Sequence, residues 1–130
     1  MNDPIEVTRK INAALPPANR FVMSTGDSTK PDEVKVADAQ NAAVLGIMTE
    51  SPRAIGDSVR IAIGGGPVLL ELASASGLSI GSFLISDNVG RGIPLPVTSA
   101  ITNVGARIVD PVPAGTQFVS VLPVNFKTKY

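Results

Sequence analysis

Glycine and proline interrupt this chain so often that a largely helical fold is closed to it. Twelve Gly and eleven Pro fall among 130 residues. Gly weakens a helix interior and Pro breaks it. Both are what tight turns between short strands need. Between the turns the chain is 44% hydrophobic but only 4% aromatic, so Val, Ile, Leu and Ala must carry the core. Val and Ile favour strands, because a branched Cβ fits a pleated surface. The length suits one domain. A domain of this size buries roughly two thirds of its unfolded surface.

Residues 3–15 are the exception to the strand pattern. Asp3 suits an N-cap, Pro4 a first helical position and Glu6 a first turn. Val7, Ile11 and Leu15 recur every four residues as a thin apolar stripe, and Pro16-Pro17 ends it. The expectation is a short helix, marginal alone and in need of a surface to lie on. Two readings stand side by side: a helix packed on its own domain, or an arm docked on a neighbouring subunit. The arm reading predicts that deleting residues 1–15 weakens attachment or oligomerisation more than it weakens the rest of the fold.

From Phe21 onward, about eight or nine short strands follow one another, each closed by turn chemistry. Val59, Ile61 and Ile63 alternate with Arg60 and Ala62 at period two, and Gly64-Gly65-Gly66-Pro67 ends that strand. Gly46 inside an apolar run signals close backbone approach. Asp87-Asn88-Val89-Gly90-Arg91-Gly92 reads as a hairpin turn, and Pro94 and Pro96 make the returning segment an edge strand or extended loop. The expected fold is all-β: a small barrel or sandwich of short antiparallel strands with an N-terminal arm or short helix. The chain divides into an arm at 1–19, a β domain at 20–124 and a tail at 125–130. Gly46, Pro52 and Gly56 also recur as Gly105, Pro111 and Gly115 at one offset of 59 residues. This echo points to a repeated strand–loop–strand unit, with Gly81-Ser82-Phe83-Leu84-Ile85 a shorter relative.

The chemistry-bearing residues are few. There is no His, Cys or Trp. Nucleophilic catalysis would need a Ser-Lys pair. Yet Lys10, Lys30, Lys35, Lys127 and Lys129 all lie in polar or terminal segments, where none is desolvated. Asp27, Asp32, Asp57, Asp87 and Asp110 sit in turns, as Asp does when it bonds nearby backbone. No calcium-loop spacing occurs, and Gly64-Gly65-Gly66 lacks the Lys-Ser/Thr and helix of a phosphate loop. No catalytic residue, cofactor or metal is expected. Eleven basic residues balance eleven acidic ones, so nothing gathers nucleic acid or anionic lipid. No signal peptide or apolar run long enough for a spanning helix is visible. Phe21, Phe83 and Phe118 lie in apolar runs and are expected in the core. Phe126 and Tyr130, in a mixed aromatic and basic tail, fit a partner-binding tag or a solvated end. The partner-binding candidates are therefore Val7, Ile11, Leu15, Phe126 and Tyr130.

The order of segments resembles the capsid decoration (cement) proteins of tailed bacteriophages. The likeness starts with residues 17–23. It continues through Ala43-Val44-Leu45-Gly46-Ile47 and Gly56-Asp57-Ser58-Val59-Arg60-Ile61-Ala62-Ile63-Gly64-Gly65. Ser76-Gly77-Leu78-Ser79-Ile80-Gly81-Ser82-Phe83-Leu84 and Asp87-Asn88-Val89-Gly90-Arg91 look like that family's middle hairpin. Asn103-Val104-Gly105-Ala106 and Gly115-Thr116-Gln117-Phe118-Val119-Ser120-Val121-Leu122-Pro123 look like its closing strands. The resemblance spans residues 17–123. It implies a β-barrel-like virion protein on the capsid exterior, assembled in the host cytoplasm. Its partner would be the major capsid protein, whose subunit junctions it clamps against the pressure of packaged DNA. It also implies a homo-oligomer, with a trimer favoured over a dimer. A tail or baseplate component, or a carbohydrate-binding barrel, is the alternative.

Overall fold

The computed structural model describes residues 4–11, 17–96 and 101–128. Ten strands follow in order: β1 (Ile5–Ile11), β2 (Arg20–Ser24), β3 (Glu33–Val36), β4 (Gly46–Met48), β5 (Ser58–Gly64), β6 (Val68–Glu71), β7 (Phe83–Ser86), β8 (Gly92–Pro94), β9 (Thr102–Ile108) and β10 (Phe118–Thr128). No helix occurs among the described residues. The first five strands close a barrel in the order β1-β3-β2-β4-β5, and the others form a sheet in the order β6-β10-β9-β7-β8. The two ends of that sheet also meet. Leu72 bridges Gly92, and the Ala73 N–H donates to the Gly92 carbonyl at 3.1 Å. The expected all-β barrel or sandwich is the fold observed.

The extra strand is β1, which replaces the expected helix. It pairs antiparallel with β5, from Glu6 opposite Ala62 to Lys10 opposite Ser58, and it also pairs parallel with β3 at Lys10–Glu33 and Ile11–Val34. That parallel pair, like the parallel Leu72–Gly92 bridge, departs from the expected antiparallel pattern. The four-residue spacing of Val7 and Ile11 suits a strand as well as a helix, because an even spacing keeps side chains on one strand face. The β-branched Ile5, Val7, Thr8 and Ile11 favour the strand. The tail likewise continues the fold as far as Thr128: Phe126, Lys127 and Thr128 pair with Val104, Asn103 and Thr102.

Two cores result, and β2 and β4 are walls of both. Val22 and Met48 point into the barrel, where they pack with Ile11, Val34, Val59 and Ile61. Their neighbours Phe21 and Ile47 face the other way and join Leu70, Leu84, Ala106, Ile108, Val119 and Val121 of the second sheet. Phe21, Val22, Ile47 and Met48 are all fully buried, so these strands lack the polar alternation of a half-exposed sheet. The ion pair of Arg20 and Glu71, 3.1 Å apart, ties β2 to β6, and a second Arg20 nitrogen donates to the Val89 carbonyl at 3.0 Å.

Glycine makes the close approaches possible. A Cβ at Gly46 would overlap the Ala62 carbonyl oxygen, and one at Gly105 would lie 2.6 Å from the Phe21 ring. The internal echo has a matching structural basis. Asp57 N–H donates to Ala54 O at 3.1 Å, and Thr116 N–H to Pro113 O at 3.2 Å. Gly56 and Gly115 sit at the third position of these turns with φ of 93° and 80°, as a type II turn demands. Ser82 N–H donates to Ser79 O in the same way, with Gly81 at φ 88°, so the shorter relative shares the turn.

Two outcomes follow from this packing. Deleting residues 1–11 opens the barrel and exposes its core, so the cooperative thermal transition of the intact chain is lost or falls sharply. An unchanged melt would contradict β1 as a closing strand, and would restore the detachable arm. Gly105→Ala, which overpacks the Phe21 ring, costs about 1–3 kcal/mol in denaturant unfolding. Gly64→Ala, where an added Cβ meets nothing within 4 Å, changes stability by about 0.5 kcal/mol or less.

Candidate interaction surface

Most carboxylates among the described residues are occupied with this chain's own groups. Asp87 accepts from the backbone N–H groups of Val89 and Arg91 at 2.9 and 2.8 Å, and from Arg91 Nε at 3.1 Å. Asp57 accepts from the N–H groups of Arg53 and Ala54 at 2.9 and 3.0 Å. Asp27 accepts from the hydroxyl and N–H of Thr29, and these bonds hold its carboxyl below the usual Asp range. Lys35 does the same for Asp38. Glu50 accepts from Arg60 N–H at 3.1 Å. Among the described residues, no three Asp or Glu side chains come together as a metal site would require.

A hollow of about 750 Å³ opens where the loop of Ser74, Ala75 and Ser76 meets the turn of Ala114 and Gly115. Glu71, Arg91 and Gln117 supply its charged and amide groups, but the first two are already paired with Arg20 and Asp87. No aromatic ring lines it. Sugar-binding surfaces depend on such rings for stacking, so this hollow gives the carbohydrate alternative no support.

A different kind of surface lies on the outer face of the second sheet. Phe83 at the start of β7 and Phe126 near the end of β10 meet edge to face, ring centroids 5.4 Å apart. The Arg107 guanidinium of β9 lies over the Phe83 ring, 5.9 Å from its centroid. Phe83 is 36% and Phe126 41% exposed, and nearby Ile80 in the preceding turn is 61% exposed. Aromatic side chains and Arg are the residue types enriched where protein interfaces draw their binding energy. Here three strands hold them, so little ordering is needed to present them.

The structure separates the candidates read from the sequence. Ile11 is fully buried in the barrel and unavailable to a partner in this fold. Val7 is partly buried against the same core. Leu15 and Tyr130 lie outside the described residues. Phe126 remains exposed, on a paired strand rather than a loose tag. Phe83 and Phe118 correct the expectation of core placement: both are first residues of their strands, and alternation turns them outward while Leu84 and Val119 turn in. That alternation was the available signal, outweighed by the apolar runs around each ring. Arg107 gave no sequence signal, because its stacking on Phe83 depends on the β7–β9 register that pairs them.

No protein-family model and no curated protein sequence matches this chain. Its fold is similar to that of the head fiber gp8.5 N base of bacteriophage phi29, a crystal structure, with a TM-score of 0.62 at 15% sequence identity. The match covers 100% of both chains, so the likeness is of the complete arrangement of barrel and second sheet rather than of one shared hairpin.

Proposed function

We propose that this chain is a structural protein of a bacteriophage particle, bound to the outside of the head. There it stabilises contacts between major capsid subunits. The observation that carries this reading is the whole-chain fold likeness to a phage head fiber base. The sequence resemblance to capsid decoration proteins supports the same reading. The side chains agree with a scaffold: the carboxylates fasten loops, and the exposed aromatics stand on rigid strands. The fold neighbour, a head fiber base, also favours a second reading, in which the chain is the base of a projecting head fiber. Both readings put it on the head exterior. They differ in copy number.

The test is the ratio of this chain to the major capsid protein in purified particles of its source virus. A decorating protein is present in numbers set by the shell lattice, and heads stripped of it burst at a lower temperature than heads to which it is added back. A few copies per head, with no effect on the bursting temperature, fit a fiber base and would contradict the stabilising role. Absence from the particle contradicts both.

A further inference from the structure

Resting on the head-binding reading, we infer that the cluster of Phe83, Arg107 and Phe126 is the contact through which this chain holds the shell. It takes an acidic side chain of the major capsid protein, seated beside apolar groups.

Register builds the cluster. Exposed Arg107 of β9 stands opposite Phe83 of β7 on one side and Leu122 of β10 on the other, and directly opposed residues share a face of their sheet. The guanidinium lies over the Phe83 ring, and the Phe126 ring meets Phe83 edge to face. Beside them is a hollow of about 380 Å³ lined by Ile80, Gly81, Arg107, Ile108 and Val109. Arg107 is its one charged lining residue, and the others are aliphatic or bare backbone. Such a hollow suits the methylene stem of a Glu, or the shorter one of an Asp, with the carboxylate carried onto Arg107. An Arg backed by a ring keeps its fork of N–H donors oriented for that carboxylate.

Charge selects the occupant. Strands β6 to β10 carry three charged side chains: Glu71, Arg107 and Lys127. Glu71 is buried and spent on Arg20. Arg107 and Lys127 form no ion pair with any carboxylate among the described residues, and Asp110, three residues beyond Arg107, is no exception. Lys127 directly follows Phe126 in β10. Arg9 and Arg53 also lack a carboxylate, but among the described residues Arg107 is the one whose guanidinium lies over an aromatic ring. A second copy docked cluster to cluster would bring cations to both sides of the contact, and like charges brought together cost affinity. A shell surface that offers a carboxylate supplies the missing sign. The exposed rings of Phe83 and Phe126 and the side chain of Ile80 supply the apolar contact around it.

The test is cosedimentation of the full-length chain with purified heads assembled without it. Thermal melts and sedimentation equilibrium of each variant serve as controls. The wild-type chain is expected to saturate the heads. Arg107→Glu and Phe126→Ala each weaken that binding about tenfold or more. Arg53→Glu, the same charge change at an exposed position in the loop before β5, leaves it unchanged. The melt and the mass of the Arg107→Glu chain stay those of the wild type, and if the melt of either variant falls, the other decides. A wild-type chain that does not bind heads overturns the head-binding reading, and this contact with it. A wild-type chain that binds, with Arg107→Glu and Phe126→Ala binding equally well, overturns the contact alone. So does a loss no greater than that of Arg53→Glu. An Arg107→Glu chain whose mass falls along with its binding overturns it too, since a second copy would then cover the cluster.

Discussion

The fully buried ring of Phe21 holds the two halves of this protein together. Phe21 belongs to the barrel by its backbone and to the second sheet by its side chain. Its N–H donates to Gly90 O at 2.8 Å, and its carbonyl accepts from Ala37 N–H at 2.9 Å. Glycines stand where the chain must come closest to it. A side chain at Gly105 would strike the ring, and one at Gly90 would lie 2.9 Å from the carbonyl oxygen. Interiors packed at crystal-like density tolerate neither an added methyl group nor a void. The relative placement of barrel and sheet therefore depends on one large side chain and the absence of two small ones. The ion pair of Arg20 and Glu71, one residue along β2, crosses the same boundary.

Much of this was legible in the sequence, and for physical reasons. Turn chemistry is local: Gly56 and Gly115 announce left-handed turn positions, and both turns formed as the echo implied. Close approach at Gly46 was equally readable, because a Gly between strand-forming residues has few other uses. The prolines of the returning segment also kept their meaning, since β8 ladders with β7 and meets the end of β6 at Gly92. The N-terminal strand was not legible. Capping residues and a four-residue spacing fit a helix locally, and what decides for the strand is pairing with β5 and β3, more than twenty residues away in sequence. Local propensity yields to such contacts as a rule.

The surface was read less well than the core. Burial follows from hydrophobic content, which a sequence displays, but the face a strand-end residue takes depends on register. Phe83 and Phe118 look apolar enough to be internal, and alternation puts them outside. Arg107 gains its meaning only when β7 and β9 pair and bring it over Phe83. A chain with few aromatics has placed the rings of Phe83, Phe118 and Phe126 where water reaches them, and the first and last of these meet beside Arg107. For a molecule with most of its described carboxylates paired within the chain, Phe83, Phe126 and the Arg107 guanidinium are the features best suited to meeting another protein.

The proposed role of this fold is that of an external component of a phage head. A cryo-electron-microscopy reconstruction of heads carrying the chain tests it most directly. The claim predicts density on the outer surface of the shell, over contacts between capsid subunits, into which the barrel and second sheet fit as one rigid unit. Density confined to the tail, or heads with a bare exterior in particles that contain the chain, would contradict it.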